Sequence, residues 1–206
     1  MTIDGAGVIS GNIQYSGGAF VETISHGKMS GSKTVVSFVG SDSDGFVFQG
    51  TALKIGGGVN DFDNDGATDI TVYRNGAWFI LKSSGGSQEV GWGITGDVPV
   101  PADYDGDGKT DIAIYRDGGW FIVKSSGGTS AVGWGVAGDI PVQGDYDGDG
   151  KADQAVYRYG TWFVLNSSGG TTVVGWGGAA QDIPVPADYD GDGKTDIAIY
   201  RDGGWF

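Results

Sequence analysis

Sixteen aspartates that recur at fixed spacing are the residues of this chain best suited to chemistry. They lie in four nine-residue segments, at 61–69, 103–111, 145–153 and 188–196, each with Asp at positions 1, 3, 5 and 9 and Gly at position 6. The chain contains 24 Asp but only 2 Glu, which ties the acidic residues to these loops rather than to general surface charge. Because a short turn cannot hold four carboxylates without a counter-charge, the spacing predicts a bound cation in each loop.

Calcium is the cation that this ligand set predicts. Ca²⁺ takes about six to eight oxygen ligands in a flexible shell, whereas Mg²⁺ demands octahedral geometry and retains its waters. Zinc and copper prefer His or Cys, and the chain has one His and no Cys. By analogy with related loops, position 7 adds its backbone carbonyl, giving about four Ca²⁺ ions, one per loop. The predicted ligands are Asp61, Asp63, Asp65, Ala67 and Asp69; Asp103, Asp105, Asp107, Lys109 and Asp111; Asp145, Asp147, Asp149, Lys151 and Asp153; and Asp188, Asp190, Asp192, Lys194 and Asp196.

Two other structures share features of these loops: an Asp-capped turn without metal, and the EF-hand. A single Asp-rich turn could be one in which Asp caps its own backbone, but four copies in register favour a metal. EF-hand loops share positions 1, 3, 5 and 6, yet they require a Glu at position 12 and flanking helices. Position 12 is here a Val or Ile inside a β-branched run. We therefore expect strands, not helices, beside the loops.

The loops begin 42 or 43 residues apart, and the apolar runs between them recur in the same order. In the first three units the loop is followed by three short predicted strands separated by Gly-containing turns, and in the partial fourth unit by one. The predicted strands are 70–74, 78–82 and 89–92; 112–116, 120–124 and 131–134; 155–158, 162–166 and 172–176; and 197–201. Repeats of this length with several short strands predict stacked sheets, radially arranged as in a β-propeller. We expect the metal loops to fix the turn from one sheet to the next.

The fold class predicted is all-β, with β-propeller-type blades in three full repeats plus a partial fourth, preceded by a small antiparallel β meander. The repeat region is 58–206, with units at 61–102, 103–144, 145–187 and 188–206. The N-terminal domain, 1–57, has predicted strands at about 8–15, 20–25, 34–40 and 46–54; these could instead supply divergent blade strands. The open edge of the unfinished blade requires cover from that segment, from another copy of the chain, or from sequence outside a fragment.

The loops and the strands after them resemble a known repeat family. Asp-x-Asp-x-Asp-Gly-x-x-Asp followed by Ile-Ala-Ile-Tyr-Arg, at 103–116 and 188–201, is similar to the FG-GAP/VCBS repeats of integrin-α-like propellers, which are common in bacterial secreted and surface proteins. The resemblance covers 61–206. It implies one Ca²⁺ per loop, seven blades in many members, and roles in adhesion or ligand binding. Gly91-Trp92-Gly93 and its equivalents replace the Phe-Gly of the family, and Gly-Ala-Pro is absent.

Tryptophan and arginine also recur once or twice per unit, and each allows two interpretations. The Trp side chains could stack on sugar rings, as in a lectin, or pack successive sheets together; we favour packing. The Arg side chains could bind a ligand or pair with a carboxylate of a loop or of the neighbouring unit; we favour pairing. The residues are Trp78, Trp92, Trp120, Trp134, Trp162, Trp176 and Trp205, and Arg74, Arg116, Arg158 and Arg201.

Composition argues against several functions. The formal net charge of −14 opposes nucleic-acid binding, and no run of 18 apolar residues is present to span a membrane. The N-terminus lacks a basic and apolar signal segment, so a signal has been removed or the chain is a fragment. His26 is isolated, Cys is absent, no Gly-x-Ser-x-Gly elbow occurs, and ligated carboxylates cannot act as general acids. We do not expect an enzyme.

These observations predict a non-catalytic, extracellular or cell-surface calcium-binding repeat protein. Its ions would rigidify blades used for adhesion or for binding a glycan or protein ligand. The alternative is a structural subunit that self-assembles into a surface oligomer or filament through its unfinished blade, and the third hypothesis is a propeller-type enzyme. Self-association, or another chain that completes the open blade, is expected in the first two cases.

Overall fold

The computed structural model describes residues 60–206 and four strands nearer the N-terminus, β1 (Thr2–Ile3), β2 (Ile9–Ser10), β3 (Val35–Ser41) and β4 (Val47–Leu53). β1 pairs with β2, and β3 pairs with β4, both antiparallel. The predicted strands at 34–40 and 46–54 coincide with β3 and β4, and the one at 8–15 contains β2. The predicted strand at 20–25 lies outside the described residues.

Four small sheets follow one another in the repeat region, in the orders β5-β6-β7, β8-β9-β10-β11, β12-β13-β14-β15 and β16-β17-β18. All pairs in the last three sheets join strands consecutive in sequence and are antiparallel. The strands are β5 (Ile70–Arg74), β6 (Ala77–Leu81), β7 (Ser87–Gly91), β8 (Val98–Pro99), β9 (Ile112–Arg116), β10 (Gly119–Val123), β11 (Thr129–Gly133), β12 (Ile140–Pro141), β13 (Gln154–Arg158), β14 (Thr161–Leu165), β15 (Thr171–Gly175), β16 (Ile183–Pro184), β17 (Ile199–Arg201) and β18 (Gly204–Trp205).

The all-β prediction is confirmed for the described residues, which contain no helix. The sheets of the repeat region have three or four strands, as the repeat length indicated. The propeller arrangement stays a prediction. Within the same part of the chain, no helix has the length and apolar character needed to cross a membrane.

Three of the Asp loops lie inside a sheet rather than between sheets. The loop at 103–111 joins β8 to β9, and those at 145–153 and 188–196 join β12 to β13 and β16 to β17. The expectation that the loops form the turn from one sheet to the next was wrong. The short Val/Ile-Pro strand before each of these loops pairs with the strand after it, as Val98 does with Tyr115. The sheet of β8–β11 therefore begins before the unit boundary that the Asp spacing predicts.

The hairpin after each loop is set by local turn chemistry. Between β9 and β10, Asp117 (φ 48°) and Gly118 (φ 88°) both adopt left-handed backbone conformations. Two consecutive positive φ angles define the type I′ turn, whose twist matches that of paired strands. Asn75 and Asp202 take the Asp117 position in two other hairpins, and both residue types tolerate this conformation. Tyr159 takes it in the fourth, with φ 46° and 94% of its surface exposed.

The chain divides into two compact units, one comprising Met1–Tyr73 with Phe79–Gln88 and the other Arg74–Trp78 with Glu89–Phe206. Two apolar cores lie in the second unit, and each joins one sheet to a strand of the next sheet. The first contains Val100, Tyr104, Ala113, Tyr115, Trp120, Ile122, Ala152 and Val156. The second contains Val142, Ala155, Tyr157, Trp162, Val164 and Ile199. Successive sheets in this unit therefore share their cores, as expected of repeats that cannot bury a face alone.

The tryptophans serve packing in both of their registers. The Trp120 and Trp162 side chains are fully buried, and their indole Nε1–H groups donate to the carbonyl oxygens of Trp134 (2.8 Å) and Trp176 (3.1 Å). The indole of Trp134 in turn donates to the Phe163 carbonyl oxygen of the following sheet at 3.0 Å. Trp134 thus contacts its own sheet through its carbonyl oxygen and the following sheet through its indole. These contacts confirm the packing interpretation for the tryptophans named here.

Candidate metal centre

Each Asp loop gathers three carboxylates into one cluster. The side chains at positions 1, 3 and 9 place one carboxylate oxygen each within 4.8 Å of the others, an arrangement able to hold a metal ion. The structure thus brings together three of the four carboxylates predicted for each loop. The clusters, called the Asp triads below, are Asp61, Asp63 and Asp69; Asp103, Asp105 and Asp111; Asp145, Asp147 and Asp153; and Asp188, Asp190 and Asp196.

Backbone amides hold the first and last carboxylates of each triad. In the second loop, Asp103 accepts hydrogen bonds from the amides of Gly106 (2.7 Å) and Gly108 (2.8 Å). Gly108, at position 6, has φ +85°, so a glycine is needed to aim its amide inward. Asp111 accepts from the Tyr104 amide at 2.9 Å, and its own amide donates to the Ala102 carbonyl oxygen at 2.8 Å. The Asp111–Ala102 hydrogen bond thus closes the loop where it begins and ends, which we call the neck of the loop, and the two glycine amides curl the backbone around the Asp103 carboxylate.

Position 9 is the buried end of the second and third triads; in the first triad position 1 is buried as well, and in the fourth position 9 is half-buried. Asp111 and Asp153 are both 0% exposed, and Asp69 is also buried. Burial raises the pKa of Asp111 and Asp153 against the opposing effect of their amide hydrogen bonds. A carboxylate so placed is costly to ionise without a nearby positive charge. The second and third triads therefore contain a buried carboxylate whose negative charge a bound cation would stabilise.

The carboxylate at position 5 is outside the triads and is used by the loop itself. In the second loop, Asp107 accepts the Lys109 amide at 2.8 Å on one oxygen and the Ser125 hydroxyl at 2.6 Å on the other. The Ser125 hydrogen bond is the main reason that the pKa of Asp107 is lowered. Asp65, Asp149 and Asp192 likewise accept the amide two residues later. Position 7 thus contributes its N–H to a turn, and ligation by its carbonyl stays a prediction.

Serines complete the surroundings of the first three loops. They lie in the turns between β6 and β7, between β10 and β11, and between β14 and β15, and the sequence analysis missed their contacts with the loops. The Ser125 amide donates to Asp111 at 2.7 Å, and the Ser126 hydroxyl donates to Asp105. Ser83 with Ser84, and Ser167 with Ser168, make the same two contacts to the first and third loops. The available signal was the Ser-Ser-Gly-Gly segment that recurs at 83–86, 125–128 and 167–170.

One carboxylate oxygen of the first triad is left without a partner. Asp63 Oδ2 accepts the Ser84 hydroxyl, while Asp63 Oδ1 is buried and has no hydrogen-bond donor. Buried polar atoms are normally satisfied, so an unpartnered anionic oxygen inside an acidic cluster needs an explanation. A cation held by the triad supplies one, and the all-oxygen ligand set fits a hard divalent ion.

Neighbouring loops in the second unit touch through their backbones. The amide of Ala152, at position 8 of the third loop, donates to the Asp103 carbonyl oxygen at 2.7 Å. The amide of Thr195, at position 8 of the fourth loop, likewise donates to the Asp145 carbonyl oxygen at 2.6 Å. The Lys151 side chain lies on Gly106, where an added Cβ would come within 3.0 Å of its Cε atom. The triads of loops two to four therefore belong to one connected row.

The repeated arginines bind carboxylates outside the metal loops. Arg116, Arg158 and Arg201 each make a two-point contact with an Asp 19 residues earlier, the shorter bond being 2.5 Å in each case. Each guanidinium also lies over the ring of the Phe five residues later, at 5.0 Å for Arg158 and Phe163. Pairing with a neighbouring-unit carboxylate is confirmed for these three arginines. The acidic partners are Asp97, Asp139 and Asp182.

Comparison with protein-family models, with curated proteins and with solved structures finds no match for this chain. The likeness to FG-GAP/VCBS repeats is therefore one of motif alone. Function has to be inferred from the Asp triads, the turns that hold them and the surface around them.

Proposed function

We propose that this protein is a non-catalytic, extracellular calcium-binding repeat module of the FG-GAP/VCBS type, whose ions rigidify propeller blades used for adhesion or ligand binding. The observation that carries the proposal is the fourfold recurrence of a carboxylate triad in one geometry. A single acidic cluster is common on protein surfaces. Four clusters, each with a buried or partly buried position 9 held by backbone amides, indicate a built ligand set.

Calcium is the ion that fits best among the hard divalent cations. Its flexible shell accepts several carboxylates together with carbonyl oxygens and water, which a nine-residue turn can supply. Positions 1, 3 and 9 would hold the ion directly. The proposal assigns further oxygens to position 5 and to the position 7 carbonyl, as the sequence predicts. The bound ion would offset mutual repulsion among carboxylates in a chain whose formal charge is −14.

The role in adhesion or ligand binding draws on the surface of the turns between sheets. Ile94 and Val136 occupy equivalent positions there and are 54% and 51% exposed. Arg116 and Tyr115 lie beside Ile94 in a concavity of about 400 Å³ that also includes Asp139. Exposed apolar side chains repeated from unit to unit, next to polar groups, favour a surface that contacts a protein or glycan.

Thermal unfolding in calcium and in chelator tests the metal role. Asp147→Asn removes one triad carboxylate, and Asp117→Asn, on an exposed hairpin turn, removes the same charge elsewhere. In Ca²⁺ at about 100 times the dissociation constant, one site contributes roughly 2.7 kcal/mol to folding. We expect Asp147→Asn to lose that contribution in Ca²⁺ and almost nothing in EGTA, while Asp117→Asn keeps it. Identical wild-type melting curves in Ca²⁺ and EGTA would refute the proposal.

A glycan array and a surface-adhesion assay, each run in Ca²⁺ and in EGTA, test the binding role. Calcium-dependent binding that Ile94→Ser and Val136→Ser abolish, with melting temperatures retained, is the expected result. Binding that survives both substitutions would place the ligand elsewhere on the protein.

A further inference from the structure

The Ser-Ser-Gly-Gly segments at 83–86, 125–128 and 167–170, called the serine turns below, lie at the tips of the hairpins that follow three of the loops. We infer that the second serine of each serine turn is a positioning residue of the metal site: its hydroxyl orients the position 3 carboxylate toward the cation. The inference rests on the proposed function, since it concerns the same calcium site. The serines in question are Ser84, Ser126 and Ser168.

The serine turn is a rigid support for these contacts. Between β10 and β11, the Lys124 amide donates to the Gly128 carbonyl oxygen and the Gly127 amide donates back to the Lys124 carbonyl oxygen, both at 3.0 Å. Gly127 and Gly128 have φ angles of +110° and +83°, which other residues rarely adopt. The turn therefore has one favoured shape, and that shape presents Ser125 and Ser126 to the loop. The turn at 167–170 has the same bonds, at 3.1 and 2.9 Å.

Three contacts from one turn reach three different carboxylates. The Ser125 amide binds position 9 and its hydroxyl binds position 5, while the Ser126 hydroxyl binds position 3. Position 3 receives the hydroxyl of the second serine, which lies outside the loop. The Ser84 and Ser168 hydroxyls repeat this contact to Asp63 and Asp147.

The contact selects which oxygen of position 3 faces the triad. A carboxylate can rotate about its terminal bond, so both oxygens compete for the same direction. In the first loop the Ser84 hydroxyl holds Asp63 Oδ2, and Oδ1 is buried without a donor. In the second and third loops the serine holds Oδ2 of Asp105 and Asp147, and Oδ1 accepts the position 5 amide at 3.2 Å, so that the two contacts together fix the carboxylate. A hydroxyl does this without adding charge. The serine thus pre-orients a ligand, and removal of such outer contacts typically weakens metal binding about 10–100-fold.

A site-resolved calcium titration tests the inference. The amides of Gly108 and Gly150, which donate to Asp103 and Asp145, report the second and third loops separately in ¹H–¹⁵N NMR spectra. We expect Ser126→Ala to raise the Ca²⁺ midpoint of Gly108 about tenfold and that of Gly150 much less. Ser168→Ala should give the reverse pattern. Each loop thereby serves as the control for the other within one molecule.

Further variants separate positioning from general stability. Ser126→Thr keeps the hydroxyl and should keep the Gly108 midpoint, and Ser130→Ala, on β11 of the same hairpin, should leave both midpoints unchanged. Melting in EGTA should be nearly the same for Ser126→Ala and wild type. Equal midpoint increases at Gly108 and Gly150, or no increase at either, would overturn the inference while leaving calcium binding intact. If the wild-type amides do not respond to Ca²⁺ at all, the proposed function fails instead.

Discussion

Replacement of Arg158 by Met tests the ion pair that holds the turn before β12. Asp139 accepts two hydrogen bonds from the Arg158 guanidinium, at 2.5 and 2.7 Å, and a third from the Val136 amide at 2.8 Å. Met preserves much of the apolar stem that covers the Phe163 ring but provides no donor. The Asp139 carboxylate would then keep a single amide hydrogen bond in a site almost closed to water.

The burial of the two partners sets the size of the effect. The Asp139 side chain is 1% exposed and that of Arg158 is 34% exposed. Loss of one partner from a fully buried pair costs about 3–5 kcal/mol, whereas exposed pairs contribute less than about 1 kcal/mol. Because the guanidinium is one-third in solvent, we expect an intermediate loss of about 2 kcal/mol. For a chain of this length, that loss corresponds to a decrease in melting temperature of roughly 4–8 °C.

Urea and thermal unfolding in saturating Ca²⁺ measure this loss, and pH identifies its source. Burial acts to raise the pKa of Asp139, but the hydrogen bonds from Arg158 and Val136 outweigh it and leave the pKa below its usual range. A carboxyl with a lowered folded-state pKa stabilises the fold above about pH 4, and this contribution disappears as pH falls through the folded-state value. The difference between wild type and Arg158→Met should therefore shrink below about pH 4. A stability within about 0.5 kcal/mol of wild type at pH 7, or a difference that grows in acid, would refute the reasoning.

Four further substitutions test the turns and the packing between sheets. Tyr159→Asn should stabilise the protein by about 0.5–1 kcal/mol in urea unfolding, because Asn tolerates the left-handed backbone and the exposed ring makes no core contact; a loss would contradict this. Gly118→Ala should lower the free energy of unfolding by several kcal/mol, because its Cβ would lie 2.5 Å from a carbonyl oxygen of the neighbouring turn. Gly127 also has a positive φ but faces open space, so Gly127→Ala should lower the free energy of unfolding by only about 1–2 kcal/mol. Equal losses would assign the effect to backbone strain alone. Trp134→Phe removes the indole hydrogen bond to the next sheet and should lower the free energy of unfolding by about 1 kcal/mol. An unchanged urea midpoint would show that this hydrogen bond does not contribute to stability.

Local sequence signals predicted much of the fold. The strands after the loops at 70–74 and 112–116 match β5 and β9 because β-branched runs are bounded by glycine turns at both ends. The sheet boundary was misplaced because β8 has only two residues, one of them Pro, and so short a segment has no periodicity to detect. Its pairing with β9 spans the Asp loop and becomes visible only in three dimensions.

The candidate site was predicted in its residue types but not in the role of every residue. Asp105 and Asp111 lie together because position 1 and the loop neck fix the curl of the backbone. Asp107 is directed away from the triad because its carboxylate caps the Lys109 amide two residues later, a local hydrogen bond that competes with ligation. The Ser126 contact joins residues 21 apart through a hairpin, so spacing within the loop contained no sign of it.

The Asp triad and the Asp–Arg ion pair, the two acidic features that recur in this fold, lie at opposite ends of the same strand. Asp111 directly precedes β9 and belongs to a triad, while Arg116 ends β9 and neutralises Asp97. In the ion pair, Arg116 supplies the counter-charge to Asp97, so the end of the sheet opposite the Asp loop is stabilised whether or not metal is present. Among the residues that the structure describes, no Lys or Arg forms an ion pair with a triad carboxylate, and backbone amides and serine hydroxyls hold the triads. Under the proposed function, the requirement for calcium is confined to the loop end of these sheets. Loops two to four also touch at that end, so occupancy by the ion there can affect how their repeats hold together.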